Sequence, residues 1–110
     1  MNIKRLKEEI EKEKDWLIDV RRDFHKNPEL GQEEYRTMEK ICEYLTKMGI
    51  SYKDKIFKTG VIAEIKGEDT NYTIALRADI DALPIIDKKH TSYASINVMP
   101  VDMMHTQLLL

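Results

Sequence analysis

Two stretches of helical apolar spacing followed by two stretches of strict alternation predict an α/β chain, with two helices ahead of a β-hairpin or mixed sheet. Length is the third observation. The 110 residues hold one small domain at most, and no doubly wound sheet closes within them, so the layer is predicted to be incomplete. At 42% hydrophobic and 35% charged, the composition is that of a globular chain able to bury a modest core.

The first helix is read from Ile3, Leu6, Ile10, Leu17, Val20 and Phe24, which recur at three-, four- and seven-residue steps and draw one stripe. Its other face sets Lys4 with Glu8, Lys7 with Glu11 and Glu8 with Lys12 at i,i+4. Such pairs stabilise a helix by roughly 0.2–0.5 kcal/mol each and mark a solvated face. Pro28 has no amide proton and turns Asn27 away from helical geometry, so this helix should stop near His25 or Lys26, before a turn through Gly31. A second helix is predicted from about Gln32 to Met48. Met38, Ile41, Cys42, Leu45 and Met48 share one face, Glu33 and Glu34 stand near the positive end, and Gly49 supplies the left-handed residue that ends it.

Beyond Gly49 the period becomes two. Val61, Ala63 and Ile65 alternate with Ile62, Glu64 and Lys66, and Ile74, Leu76 and Ala78 alternate with Thr73, Ala75 and Arg77. The turn chemistry of Gly67-Glu68-Asp69-Thr70-Asn71 makes an antiparallel hairpin of these two strands, and Ser51 to Phe57 carries a fainter strand signal. Pro84 ends the last strand, because it cannot donate to a ladder.

The 18 basic and 20 acidic residues leave a formal net charge of -2, which provides no field to recruit nucleic acid or an anionic membrane. The single cysteine, Cys42, excludes an internal disulfide and a cysteine-rich zinc module, and fits a reducing compartment. Its place on the apolar stripe assigns it to core packing. Met-Asn-Ile-Lys-Arg at the start leads into a charged helical pattern with no apolar signal core, and no apolar run is long enough to span a bilayer. A cytoplasmic chain is expected.

Chemistry concentrates in Arg77-Ala78-Asp79-Ile80-Asp81-Ala82-Leu83-Pro84. On a continuing strand Asp79 and Asp81 point the same way, and two adjacent carboxylates need compensation. Arg77, on the same face, can supply it, as can a metal-bound histidine oriented by one acid. The residues alone leave both an active-site rim and a polar strand end open. His25 reads as a helix C-terminal histidine favoured by the dipole. His90 reads as an exposed loop residue. His105 follows Asp102 by three positions, a spacing compatible with metal binding, but no third ligand stands near. There is no glycine-rich phosphate loop, nucleophile elbow or Cys-x-x-Cys.

Four blocks occur in one order: Arg-Arg-Asp-Phe-His-Lys-Asn-Pro-Glu-Leu-Gly at 21–31, Glu34-Tyr35-Arg36-Thr37, Thr59-Gly60-Val61, and Ile74 through Pro84. In these, over about residues 15–99, the chain resembles the N-terminal part of bacterial metal-dependent amidohydrolases of the aminoacylase and hippurate hydrolase type. N-acetyldiaminopimelate deacetylases and plant hydrolases of indoleacetic acid conjugates are relatives of that family. The resemblance implies the N-terminal portion of a metallopeptidase-type catalytic domain, with an inserted lid domain that also dimerises in complete members. It implies two divalent metals, zinc, manganese or similar, that activate a water and polarise an amide carbonyl, with a glutamate as general base. Small N-acyl amino acids are the implied substrates. Asp79 and Asp81 correspond to the acids beside the metal centre, and Asp81 is the position carried over as the acid that orients a ligand.

The family's ligands come next, in a Met-His-Ala-Cys-Gly-His-Asp-Ala-His-Thr motif, where this chain reads Met99-Pro100-Val101-Asp102-Met103-Met104-His105-Thr106-Gln107. A reading-frame change accounts for the departure. ATG CAT GCC TGT GGA CAT GAT GCA CAC ACA G encodes the family motif and opens on a tandem ATGC. Loss of one ATGC leaves ATG CCT GTG GAC ATG ATG CAC ACA CAG, which encodes each residue from Met99 to Gln107. The chain is therefore divided into 1–98, a partial catalytic domain, and 99–110, a frameshifted tail. It is expected to bind no metal pair and to hydrolyse nothing, and the uncovered apolar faces, with Leu108-Leu109-Leu110, are expected to favour aggregation. Two other readings are a non-enzymatic interaction module built from the same helices and hairpin, and a divergent metalloprotein using Asp79, Asp81, Asp102 and His105.

Overall fold

A computed structural model describes residues 2–69, 71–84 and 91–96. The elements run α1 (Ile3–Lys12), α2 (Lys14–Lys26), α3 (Tyr35–Lys47), β1 (Ser51–Ile56) and β2 (Gly60–Glu64). Helices thus precede a sheet, as the α/β reading requires. His90, Asp102, His105 and the segment 99–110 lie outside the described residues.

The single first helix of the sequence reading is two helices. Between Ile10 and Leu17 the stripe is interrupted by five charged residues, Glu11 to Asp15, so no apolar contact holds the middle of the helix against a neighbour. There Glu13 N bonds to Ile10 O at 3.1 Å, a tight i−3 turn, before Leu17 N bonds to Glu13 O at 3.0 Å. Asn2 caps α1, its Oδ1 accepting from Lys4 N at 3.0 Å. No residue of α1 is buried. Ion pairs at i,i+3, Lys12 with Glu9 at 2.8 Å and Lys14 with Glu11 at 3.5 Å, run along its exposed surface and contribute about 0–1 kcal/mol each.

Burial begins with α2 and α3. Phe24 of α2, Met38 and Cys42 of α3, and Ala82 from the acidic segment form the buried apolar set. Tyr44 of α3 receives Trp16 and Phe24 edge-on, at ring-centroid distances of 5.7 and 6.3 Å, contacts worth about 0.5–1.5 kcal/mol each beyond their area. Arg36 of α3 forks onto Asp23 of α2 at 2.9 and 3.0 Å. Both predicted helix ends are as read. Asn27 N and Nδ2 both bond to Asp23 O, at 3.1 and 2.9 Å, just before Pro28. After α3, Gly49 takes φ 70°, and Gly49 N to Thr46 O at 3.1 Å with Ile50 N to Leu45 O at 2.9 Å complete a Schellman close. Cys42 is buried as predicted, and burial raises its thiol pKa. The charges of Asp54 and Glu39 add to that, while a hydrogen bond with Tyr52 opposes it.

The hairpin exists one strand earlier than predicted. β1 and β2 pair antiparallel, with Ser51 opposite Glu64, Tyr52 opposite Ala63, Lys53 opposite Ile62 and Ile56 opposite Gly60. The fainter strand signal therefore supplied the partner, and residues 73–78 belong to no strand among the described residues. The turn hid this pairing. It runs through Phe57, Lys58 and Thr59, with φ of 46° at Phe57 and 92° at Lys58, and those side chains carry no turn signal. Gly60 makes the closure possible, since a Cβ there would lie 2.7 Å from Ile56 O. A bulge between Lys53 and Ile56, with Lys55 at φ 56°, absorbs the register shift. The alternation at 72–78 is left without a ladder, and Tyr72, Ile74 and Leu76 are 81, 88 and 96% exposed.

Gly60→Ala should cost about 1–3 kcal/mol in urea unfolding, because backbone rather than a flexible side-chain end must give way. Gly67→Ala meets nothing within 4 Å and should stay within roughly 0.5 kcal/mol of the parent. Cys42 should react slowly with a disulfide reagent at mildly alkaline pH and quickly once urea unfolds the chain. Because its folded-state pKa is raised, its contribution to stability is full below the unfolded thiol pKa and is lost as pH rises through the folded value. A pH series of urea midpoints checks that sign.

Candidate functional site

The loop from Pro28 to Glu34 joins the acidic segment to the helices, and Glu29 is its hinge of contacts. α3 receives no side-chain cap from its own N-cap residue, Glu34. The carboxylate of Glu29 takes that place from outside the helix. Its Oε1 accepts from Thr37 N at 2.5 Å and Thr37 Oγ1 at 2.7 Å, and its Oε2 accepts from Arg36 N at 3.1 Å. An anion held on the first-turn N–H groups is favoured both by charge-assisted hydrogen bonding and by the helix dipole. The main chain of the same residue faces the other way: Glu29 O accepts Ala82 N at 2.7 Å, and Leu30 and Ala82 form a parallel bridge.

Glu34, expected near the positive end of a helix, is instead buried beneath the loop. It accepts Gln32 N at 2.8 Å on one oxygen and the Thr59 hydroxyl, from the hairpin turn, on the other. Gln32 holds φ 71° to make that bond. Between Glu34 and the acidic segment lies Gly31. A Cβ there would stand 3.4 Å from Asp81 Oδ2 and 3.8 Å from Glu34 Oε1, so the missing side chain lets two carboxylates flank one backbone position.

The two aspartates read from sequence have different surroundings. Asp79 takes the Arg77 guanidinium at 3.0 Å, the compensation that alternation along the chain anticipated. Asp81 packs, half-buried, against Gly31. His25 does lie in the last turn of α2, but it is buried instead of facing solvent. Tyr93 meets it edge-on at 6.1 Å, the Arg22 guanidinium lies 4.4 Å from the centre of the same ring, and Ile96 N bonds to Lys26 O at 2.9 Å. Residues 91–96 are thereby laid over the end of α2. Sequence reasoning missed Glu29, Glu34, Thr37, Thr59 and Gly31 as one connected group. A capping box is sought three residues away, whereas these acceptors act over seven, eight and twenty-five.

Among the described residues, no group of three or more His, Cys, Asp or Glu side chains is placed to hold a metal ion. Glu34 and Asp81 offer carboxylates, but Cys42 is committed to the core. The described side chains therefore do not compose a dinuclear centre. Glu29→Ala should destabilise the chain by about 2 kcal/mol or more, through the lost cap and the buried Thr37 donors left behind, with Glu29→Gln intermediate. Exposed Glu33→Ala should change the urea midpoint little.

No family model matches the chain. Thermostable carboxypeptidase 2 of Saccharolobus solfataricus is 37% identical over 94 residues, which are 84% of this chain and 24% of that protein. N-acetyl-L-cysteine deacetylase of Bacillus subtilis is 49% identical over 79 residues, 72% of this chain and 19% of that protein. Among solved structures, the Bacillus subtilis YXEP protein, a dinuclear metal binding peptidase from the M20 family, is 44% identical with a TM-score of 0.72. That match covers 82% of this chain and 25% of the other. The chain spans about a quarter of the length of such relatives. Sequence identity and backbone geometry agree over the same large share of the chain, and it belongs to the family of M20 peptidases and amidohydrolases.

Proposed function

We propose that this chain corresponds to part of a metal-dependent amidohydrolase that releases a free amino acid from a small N-acyl amino acid, and that the chain as it stands is catalytically silent. The match of 82% of its length to a quarter of a dinuclear metal binding peptidase carries the first half. The Met99–Gln107 stretch, reproduced by loss of four nucleotides from the family's ligand motif, supports the second. On this reading residues 1–98 are the family portion and 99–110 an out-of-frame tail. Zinc, manganese or a similar divalent metal would serve the complete relative, as would a homodimer made through its lid domain, with neither expected of this chain.

Asp81 is the acid we assign to orienting a ligand in a complete relative, and Asp79 the acid beside it. The assignment is supported by how Asp81 is fixed: Ala82 N is tied to Glu29 O, and Gly31 leaves the carboxylate its room. Pre-organised acids of this kind act by holding another group in one orientation. No described helix is long and apolar enough to cross a membrane, and a cytoplasmic setting remains our proposal.

The purified chain, titrated with zinc or manganese in a calorimeter, is expected to show no stoichiometric binding of a metal pair. It should release neither cysteine from N-acetyl-L-cysteine nor benzoate from hippurate. Release that stops on adding a chelator would overturn the reading. Genomic DNA past the Val98 codon should encode Cys-Gly-His-Asp and a long domain in another frame. Stop codons closing both other frames there would remove the frameshift.

A further inference from the structure

We infer that residues 72–76 form a self-pairing strand through which two copies of this chain join in an antiparallel ladder centred on Ile74. Tyr72, Ile74 and Leu76 fall on one face by their alternation, are 81, 88 and 96% exposed, and have no ladder partner among the described residues. From Asn71 to Leu76 the chain carries no charge and no proline, the composition that lets an open edge accept another strand.

The occupant is a second copy because the segment is complementary to itself. A two-fold axis at Ile74 sets Ile74 against Ile74 of the other copy, and Tyr72 against Leu76 at each end. All six side chains then share one face, as aromatic–aliphatic and aliphatic cross-strand pairs. A slip of one residue would send the two apolar sets to opposite faces. The same axis puts Asn71 opposite Arg77 of the other copy. Asn71 brings a carboxylate with it, since Asp69 Oδ1 accepts Asn71 N at 2.9 Å. Opposite charges therefore meet at both ends. Arg77 bonds Asp79 through one Nη at 3.0 Å with its side chain 89% exposed, and a guanidinium has five N–H donors to share. A parallel in-register pairing would instead stack Arg77 on Arg77 and Asp79 on Asp79. Association goes beyond the proposed function and is independent of it: mass tests the one and hydrolysis the other, so either can fail alone.

Sedimentation of the full chain over a rising concentration series should show one chain giving way to two. Ile74→Lys, which sets two ammonium groups face to face at the axis, should sediment as one chain throughout, with helical circular dichroism unchanged because Ile74 contributes to no buried contact. Ala75→Lys, on the opposite face, should still pair. The inference is overturned by a parent chain that stays single at every concentration, by assemblies larger than two copies, by pairing that survives Ile74→Lys, or by pairing lost in Ala75→Lys.

Discussion

The reach of Glu29 in two directions is the constraint on which the rest of this structure depends. Its carboxylate closes the open N–H groups of α3, and its carbonyl holds the amide of Ala82. A helix start and an acidic segment about fifty residues apart in sequence are thereby fixed to one residue. Gly31 and Glu34 elaborate the same joint, one by lacking a side chain and the other by linking Gln32 to the hairpin turn through Thr59. The position of Asp81 follows from this loop and not from a sheet, since residues 79–81 lie in no ladder among the described residues.

Helices, more than strands, hold the molecule together. The buried set is small: Phe24, Met38, Cys42 and Ala82 among apolar residues, with the Arg36–Asp23 fork and the Tyr44 aromatic contacts beside it. A two-stranded hairpin is marginal in isolation, and here it leans on α3 through Thr59 and through Tyr52, whose hydroxyl lies 3.3 Å from that of Thr46. Exposed apolar residues accumulate where those supports end, along α1 and at 72–76. Such a distribution is physically consistent with a chain that spans about a quarter of the length of its relatives.

What could be read from the sequence was local. Pro28 and Gly49 set both helix ends, the apolar stripe put Cys42 in the core, and alternation paired Arg77 with Asp79. The Pro-Glu-Leu-Gly and Asp-Ile-Asp blocks were enough to recognise the family. What escaped was non-local or chemically unmarked. Periodicity does not register a charged interruption such as Glu11 to Asp15, so one helix was read where two exist. A turn made by Phe57 and Lys58 at positive φ has no sequence signature, which sent the hairpin one strand too far along. Glu29 looked like a turn residue, because nothing in its neighbourhood shows that its acceptors serve a helix beginning six residues later.

Hydrogen exchange at the amides of Arg36, Thr37 and Ala82 tests the Glu29 joint most directly. If one residue holds both the helix start and the acidic segment, the three amides should be protected together and open with the same free energy, and Glu29→Gln should lower all three in step. An Ala82 amide that exchanges freely while Arg36 and Thr37 stay protected would contradict the account.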